Sequence, residues 1–222
     1  MKYDALLLVA GQGQRMQAGC NKVFLELDGQ PVFAYSLSCF LADIDCQRVV
    51  LVGRPEEREH YLPYLSDRVV FVAGGAERQD SVRLGLEAVT ASHVMVHDGA
   101  RPFVSSQHLQ DLKARPNSIL AVPAKDTIKK VSGDLVQETL PRELLYQVQT
   151  PQFFETDLLK EVHQTALAAA YLGTDDASLV EAFSSSPVAV VPGSYSNLKL
   201  TSPEDLLFAE SILKNMKTKG KK

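Results

Sequence analysis

Short apolar runs that alternate with helix-like stretches constrain the fold of this chain more than any other feature. Runs at residues 5–10, 48–52, 69–73, 93–97 and 119–123 read as strands. Residues 32–41 read as a helix, and so do residues 81–89, where Val82, Leu86 and Val89 share one face. Residues 57–65 read as helical or irregular. Strands joined by helical crossovers run parallel, because a tight turn cannot carry the chain back to the same end of a sheet. The order therefore predicts a doubly wound α/β fold, with a mostly parallel sheet and helices on both faces. A chain of 222 residues suits a single domain, 1–222, with a sizeable core.

The alternation breaks after Lys125. Runs at 127–131 and 135–139 flank Ser132-Gly133-Asp134, which predicts a β-hairpin. A hairpin interrupting a wound sheet suggests a separate job, such as reaching a neighbouring subunit, so a β-arm is placed at about 126–148. Residues 196–201, around Lys199, read as a strand. Ser202-Pro203-Glu204-Asp205 then starts a helix, with Ser202 as N-cap and Asp205 three residues beyond it. The five lysines between Lys214 and Lys222 read as a solvated end.

A net charge of −4 argues against a general nucleic-acid binder, so any polyanion site must be local. Cys20, Cys39 and Cys46 form no CxxC pair, which fits a reducing compartment and offers no metal framework. No apolar run approaches the ~20 residues that cross a bilayer. A cytoplasmic protein that binds neither membrane nor nucleic acid is expected.

Wound sheets bind ligands beyond the carboxyl ends of their strands. After the first run comes Ala10-Gly11-Gln12-Gly13-Gln14-Arg15-Met16. Glycines let backbone N–H groups approach an anion, although a plain strand-to-helix turn has the same look. Met16 stands where a dinucleotide fingerprint has glycine or alanine, and no Gly-Lys-Ser/Thr follows. Instead Arg15 lies inside the loop and Lys22 seven residues on, a pair that suits charge developing on a transferring phosphoryl group. Asp98 follows the fourth strand as either a Mg²⁺ ligand or a turn cap. His97 reads as a core histidine, and Arg101 either touches ligand or caps and anchors its own loop. Gly74-Gly75 and the polar residues up to Ser81 either hold a base and ribose or cap a helix. Arg142 and Lys199 are surface cations taken singly; with Arg15 and Lys22 they make a four-cation phosphate site.

Eight ordered motifs resemble the 2-C-methyl-D-erythritol 4-phosphate cytidylyltransferase family over nearly the whole chain. They are Ala10-Gly11-x-Gly13-x-Arg15-Met16, Lys22-x-Phe24-Leu25, Gly74-Gly75-x-Glu77-Arg78-x-x-Ser81 and His97-Asp98-x-Ala100-Arg101-Pro102. The rest are Lys125-Asp126-Thr127-Ile128-Lys129, Gln149-Thr150-Pro151-Gln152-x-Phe154, Thr174-Asp175-Asp176-Ala177 and Asn197-x-Lys199-x-Thr201. The resemblance implies a Rossmann-like nucleotidyltransferase that uses CTP and Mg²⁺. It also implies a homodimer whose arms reach into the partner's site. The phosphate of a sugar alcohol would attack the α-phosphorus directly, with no covalent enzyme intermediate.

By the same resemblance, Arg15 and Lys22 stabilise the transition state and Lys199 sits near the α-phosphate. Ala10, Gly11, Gly13, Gly75, Ala76 and Ser81 surround CTP, and Asp98 holds the metal. Thr127, Arg142, Thr150 and Thr174 take the second substrate, with Arg142 gripping its phosphate. The chain departs from the family pattern at Val9 and Gly99, where alanine is usual, and at Val23, where an amide is usual. Rival readings are a ribitol 5-phosphate cytidylyltransferase of teichoic-acid synthesis, favoured by Tyr146-Gln147, a sugar 1-phosphate nucleotidyltransferase, and a catalytically silent nucleotide-binding dimer.

Overall fold

The computed structural model describes residues 1–11 and 21–219. The first elements are β1 (Tyr3–Leu8), β2 (Glu26–Leu27), β3 (Gln30–Pro31), α1 (Val32–Ala42), β4 (Cys46–Gly53), α2 (Arg58–Tyr61) and β5 (Val69–Ala73). There follow α3 (Arg78–Leu86), β6 (His93–Asp98), α4 (Ser106–Lys113), β7 (Ser118–Pro123), β8 (Lys129–Ser132) and β9 (Leu135–Thr139). The last are β10 (Tyr146–Glu155), α5 (Thr156–Ala168), α6 (Asp176–Phe183), β11 (Ala189–Pro192) and α7 (Pro203–Lys219). None of the described helices is long and apolar enough to cross a membrane.

Seven strands form the central sheet in the order β11-β7-β10-β6-β1-β4-β5. All pairings are parallel except those of β10, which runs antiparallel to both β6 and β7. Successive residues of a strand face opposite ways, and β1 feeds two cores accordingly. Tyr3, Ala5 and Leu7 meet Phe33, Leu37 and Phe40 of α1 and Leu109 and Leu112 of α4 on one face. Leu6 meets Val82 and Leu86 of α3, Leu159 and Val162 of α5 and Val180 of α6 on the other. Each valine, leucine or phenylalanine among them contributes roughly 1.5–3 kcal/mol when fully buried. The doubly wound expectation therefore holds, and β1 lies inside the sheet between β6 and β4, with its carboxyl end facing the site.

Several boundaries differ from the sequence expectations. The helix expected at 81–89 begins at Arg78, because Glu77 and Asp80 make a reciprocal capping box. Ser81 is thus an interior residue of α3 and not its N-cap. The strand expected at 196–201 is absent: Leu200 donates one backbone bond to the Ala100 carbonyl at 2.9 Å, and the segment runs straight into the cap of α7. That cap is as expected, with Asp205 accepting from the Ser202 amide at 2.9 Å. The hairpin forms as β8 and β9, turning at Gly133 (φ +57°). Tyr146, Gln147 and Val148, assigned above to the arm, instead pair with β7 as the start of β10.

Candidate functional site

Two adjoining cavities open beyond the carboxyl ends of the parallel strands. The first, of about 450 Å³, is lined by Ala10 and Gly11 after β1, Lys22, Gly75, Ala76 and Ser81 after β5, Asp98 and Lys199. Those are all the expected CTP-side residues among the described ones; Gly13 and Arg15 lie outside the described residues. The second, of about 420 Å³, is lined by Thr150, Thr174, Arg101, Gln149 and Gln152. Arg78, Asp98 and Lys199 line both and form the wall between them.

Local chemistry explains each placement. A Cβ on Gly75 would lie 2.3 Å from the Asp80 Cβ, so only glycine lets this turn pass over the start of α3. The Ser81 hydroxyl, one turn into α3, accepts from the Gly75 amide at 3.1 Å and donates to the Glu77 carbonyl at 3.1 Å. Lys22 begins a short 3-10 turn, Lys22–Phe24, capped by Asn21. The Asn21 amide also donates to the Val9 carbonyl at 2.7 Å and to Glu57 at 2.9 Å, tying Lys22 to the end of β1. Val9 points into the core, while Val23 is buried there and also lines the first cavity, where it offers an apolar surface in place of an amide.

The charges meet at Asp98. Its carboxylate takes Lys199 Nζ at 2.8 Å and Arg78 Nε at 3.3 Å, with Arg101 Nε at 4.0 Å. Burial alone would raise its pKa, yet Arg78, Lys199 and Arg101 hold it far below the usual carboxylate range. Arg101 also donates to the Asn197 carbonyl at 2.7 Å, anchoring the segment that carries Lys199. The Thr150 hydroxyl accepts from the Asp98 amide at 3.0 Å and contacts His97 Nδ1 at 3.0 Å, so it supports the end of β6 from beneath. His97 is fully buried and bonds the Arg101 carbonyl through Nε2 at 3.0 Å, as a core histidine should.

Among the described residues no cluster of three or more His, Cys, Asp or Glu side chains gathers. Magnesium does not need one, because it typically takes one or two carboxylates and fills its octahedron with water and substrate phosphates. Asp98 fits that pattern.

Thr127 and Arg142 are exposed on the arm and line neither cavity. Arg142 donates to the Lys125 carbonyl at 2.9 Å, across the two legs of the arm's base. The arm itself shows Val131, Leu135 and Val136 to solvent. Sequence reasoning did not single out Arg78, which bridges Asp98 and Asp176, the latter at 2.9 Å. Its one signal was its position just after Glu77 in a glycine-led motif, and a lone arginine at a helix start has no readable partner.

The family model for 2-C-methyl-D-erythritol 4-phosphate cytidylyltransferase (IspD) matches residues 4–215. A protein of that name from Geobacillus kaustophilus is 50% identical over 223 residues, covering 96% of this chain and 97% of its own. One from Bacillus velezensis is 47% identical over 224 residues, with 96% and 97% covered. Among solved structures, the 4-diphosphocytidyl-2C-methyl-D-erythritol synthase of Anaerococcus prevotii superposes with a TM-score of 0.84 at 31% identity, covering 96% of each chain. The Thermus thermophilus cytidylyltransferase does so with 0.77 at 33% identity, covering 94% of this chain and 98% of its own. With two cavities meeting at Asp98 and near-complete matches of sequence and fold, this chain belongs to the 2-C-methyl-D-erythritol 4-phosphate cytidylyltransferase family.

Proposed function

We infer that the protein joins CTP to 2-C-methyl-D-erythritol 4-phosphate in isoprenoid biosynthesis, giving 4-diphosphocytidyl-2-C-methyl-D-erythritol and pyrophosphate. The observation that carries this reading is the wall of Arg78, Asp98 and Lys199 shared by two cavities, which suits two phosphorylated substrates meeting at one point. CTP lies in the first cavity, its base and ribose against Gly75, Ala76 and Ser81. Its phosphates lie over Ala10, Gly11 and Gly13 toward Arg15 and Lys22. The acceptor enters the second cavity beside Thr150 and Thr174.

A phosphate oxygen of the acceptor forms the new bond to the α-phosphorus as the bond to the β-phosphate oxygen breaks. Pyrophosphate leaves with that electron pair. There is no covalent chemistry for the protein to do, so its contribution is positioning and stabilisation of charge. Lys22, Arg15 and Lys199 supply positive charge where negative charge spreads in the transition state. A divalent cation held by Asp98 and the phosphates would neutralise further charge. The arm delivers Arg142 and Thr127 to the neighbouring subunit of a homodimer, where Arg142 grips the acceptor's phosphate. That neither residue lines a cavity of its own chain supports that assignment.

The test crosses the four nucleoside triphosphates with methylerythritol 4-phosphate and ribitol 5-phosphate and measures pyrophosphate release. Turnover is expected with CTP and methylerythritol 4-phosphate. Faster turnover with ribitol 5-phosphate, or with another nucleotide, would overturn the assignment.

A further inference from the structure

The wall between the cavities is braced from behind. Asp176, the first residue of α6, is buried and accepts from Arg78 Nη1 through Oδ2 at 2.9 Å. Its other oxygen, Oδ1, meets Nε2 of His163 at 3.1 Å. His163 lies in α5, on the sheet face opposite α1, and is 1% exposed. A carboxylate can only accept, so Nε2 carries the proton of this bond. The result is one continuous chain of side chains: His163, Asp176, Arg78, Asp98, Lys199.

Two features set this chain apart from an ordinary surface ion pair. It begins at a buried histidine that lines neither cavity and ends at the three residues that line both. Each of its two carboxylates uses one oxygen toward each neighbour, so the orientation of one group sets that of the next. A planar guanidinium transmits such an orientation well, because its donors lie in a fixed fork.

We propose that His163 is a positioning residue for the reaction. Through Asp176 it sets the plane of Arg78, and through Arg78 the placement of Asp98 and Lys199 where the two substrates meet. The inference rests on the two-cavity reading of the site given above. A small misplacement far from the reacting atoms can lower a rate by as much as about 100-fold.

The test compares His163→Leu, which keeps the bulk and removes the donor, with His163→Gln, whose amide reaches to the same carboxylate. Pyrophosphate release gives kcat and KM for each substrate, and thermal unfolding is followed in parallel. His163→Leu is expected to lower kcat about 10-fold, with a smaller change in KM for CTP, and His163→Gln to restore most of the loss. In an Asp176→Asn background, itself expected to lower kcat, His163→Leu should add little, because the relay is already cut.

Unchanged kcat in a folded His163→Leu protein would overturn the proposal. So would a loss that glutamine does not restore, or full additivity with Asp176→Asn. If His163→Leu fails to fold, His163→Asn, whose shorter amide stops short of Asp176, is compared with His163→Gln instead. A depressed kcat for asparagine beside a near-native kcat for glutamine supports the relay, and equal kcat for the two overturns it. Absence of CTP-dependent release from the unsubstituted enzyme would overturn the reaction assignment along with this inference. An active enzyme with an indifferent His163 overturns the inference alone.

Discussion

At the scale of single residues, the site is a set of charges whose partners come from distant parts of the chain. His97 is the simplest case. Burial lowers its pKa from 6.5 to about 4. The folded state therefore holds the ring neutral while the unfolded chain still takes up a proton. Between pH 6.5 and about 4 the unfolded state binds more protons, so stability falls as pH falls through that window. The shift corresponds to at most about 3 kcal/mol. Urea midpoints taken from about pH 7 down to about pH 4.5 should therefore drop more steeply for the wild type than for His97→Gln. Equal slopes would show that His97 is not held neutral. His97 was legible as a core histidine because its strand is apolar. The setting of Asp98 was not, since neither Arg78 nor Lys199 is near it in sequence.

At the scale of elements, the ends of β1 and β6 pack against each other through two departures from the family pattern. A Cβ placed on Gly99 would lie 2.7 Å from Val9 Cγ1 and 3.0 Å from the Leu8 carbonyl. The larger side chain at Val9 thus fills space that a side chain at Gly99 would need. Gly99→Ala is expected to destabilise the protein by about 1–3 kcal/mol through overpacking. The same change should cost clearly less in a Val9→Ala background, as paired sites in contact are not additive. Equal costs in the two backgrounds, read from urea midpoints, would contradict this coupling.

Elements with strong periodicity were read well: residues 69–73 match β5, and 32–41 differ from α1 by one residue. The antiparallel β10 escaped because Gln147, Gln149, Thr150 and Gln152 mask its alternation. Gln149, Thr150 and Gln152 are buried and line the second cavity, so function erased the apolar pattern that marks a strand.

At the scale of the whole molecule, the arm is the part that one protomer leaves unexplained. Val131, Leu135 and Val136 are 54%, 71% and 59% exposed on a two-stranded hairpin, which alone would be marginally stable in water. The homodimer proposed above, in which these residues would be covered and each site completed by the other's Arg142, would account for them. Lys22→Ala should lower turnover by about 100-fold or more, as loss of a transition-state charge donor does. Arg142→Ala should act mainly on the acceptor. If the site is shared, mixing the two variants restores activity, because one of the two sites in a hybrid dimer has an intact core and an intact arm. No recovery after verified subunit exchange would count against a shared site.

The sequence by itself determined the wound α/β order, the hairpin, the cap of α7 and the residues that follow each strand, because these depend on local periodicity and turn chemistry. It also carried the family likeness, through motifs that keep their order along the chain. Only the tertiary structure decided that Arg78, Asp98 and Lys199 form one wall, that Ser81 lies inside a helix and that His163 stands behind Asp176. Those facts rest on which charges are buried together, and a buried charge takes whatever partner the folded chain brings within reach.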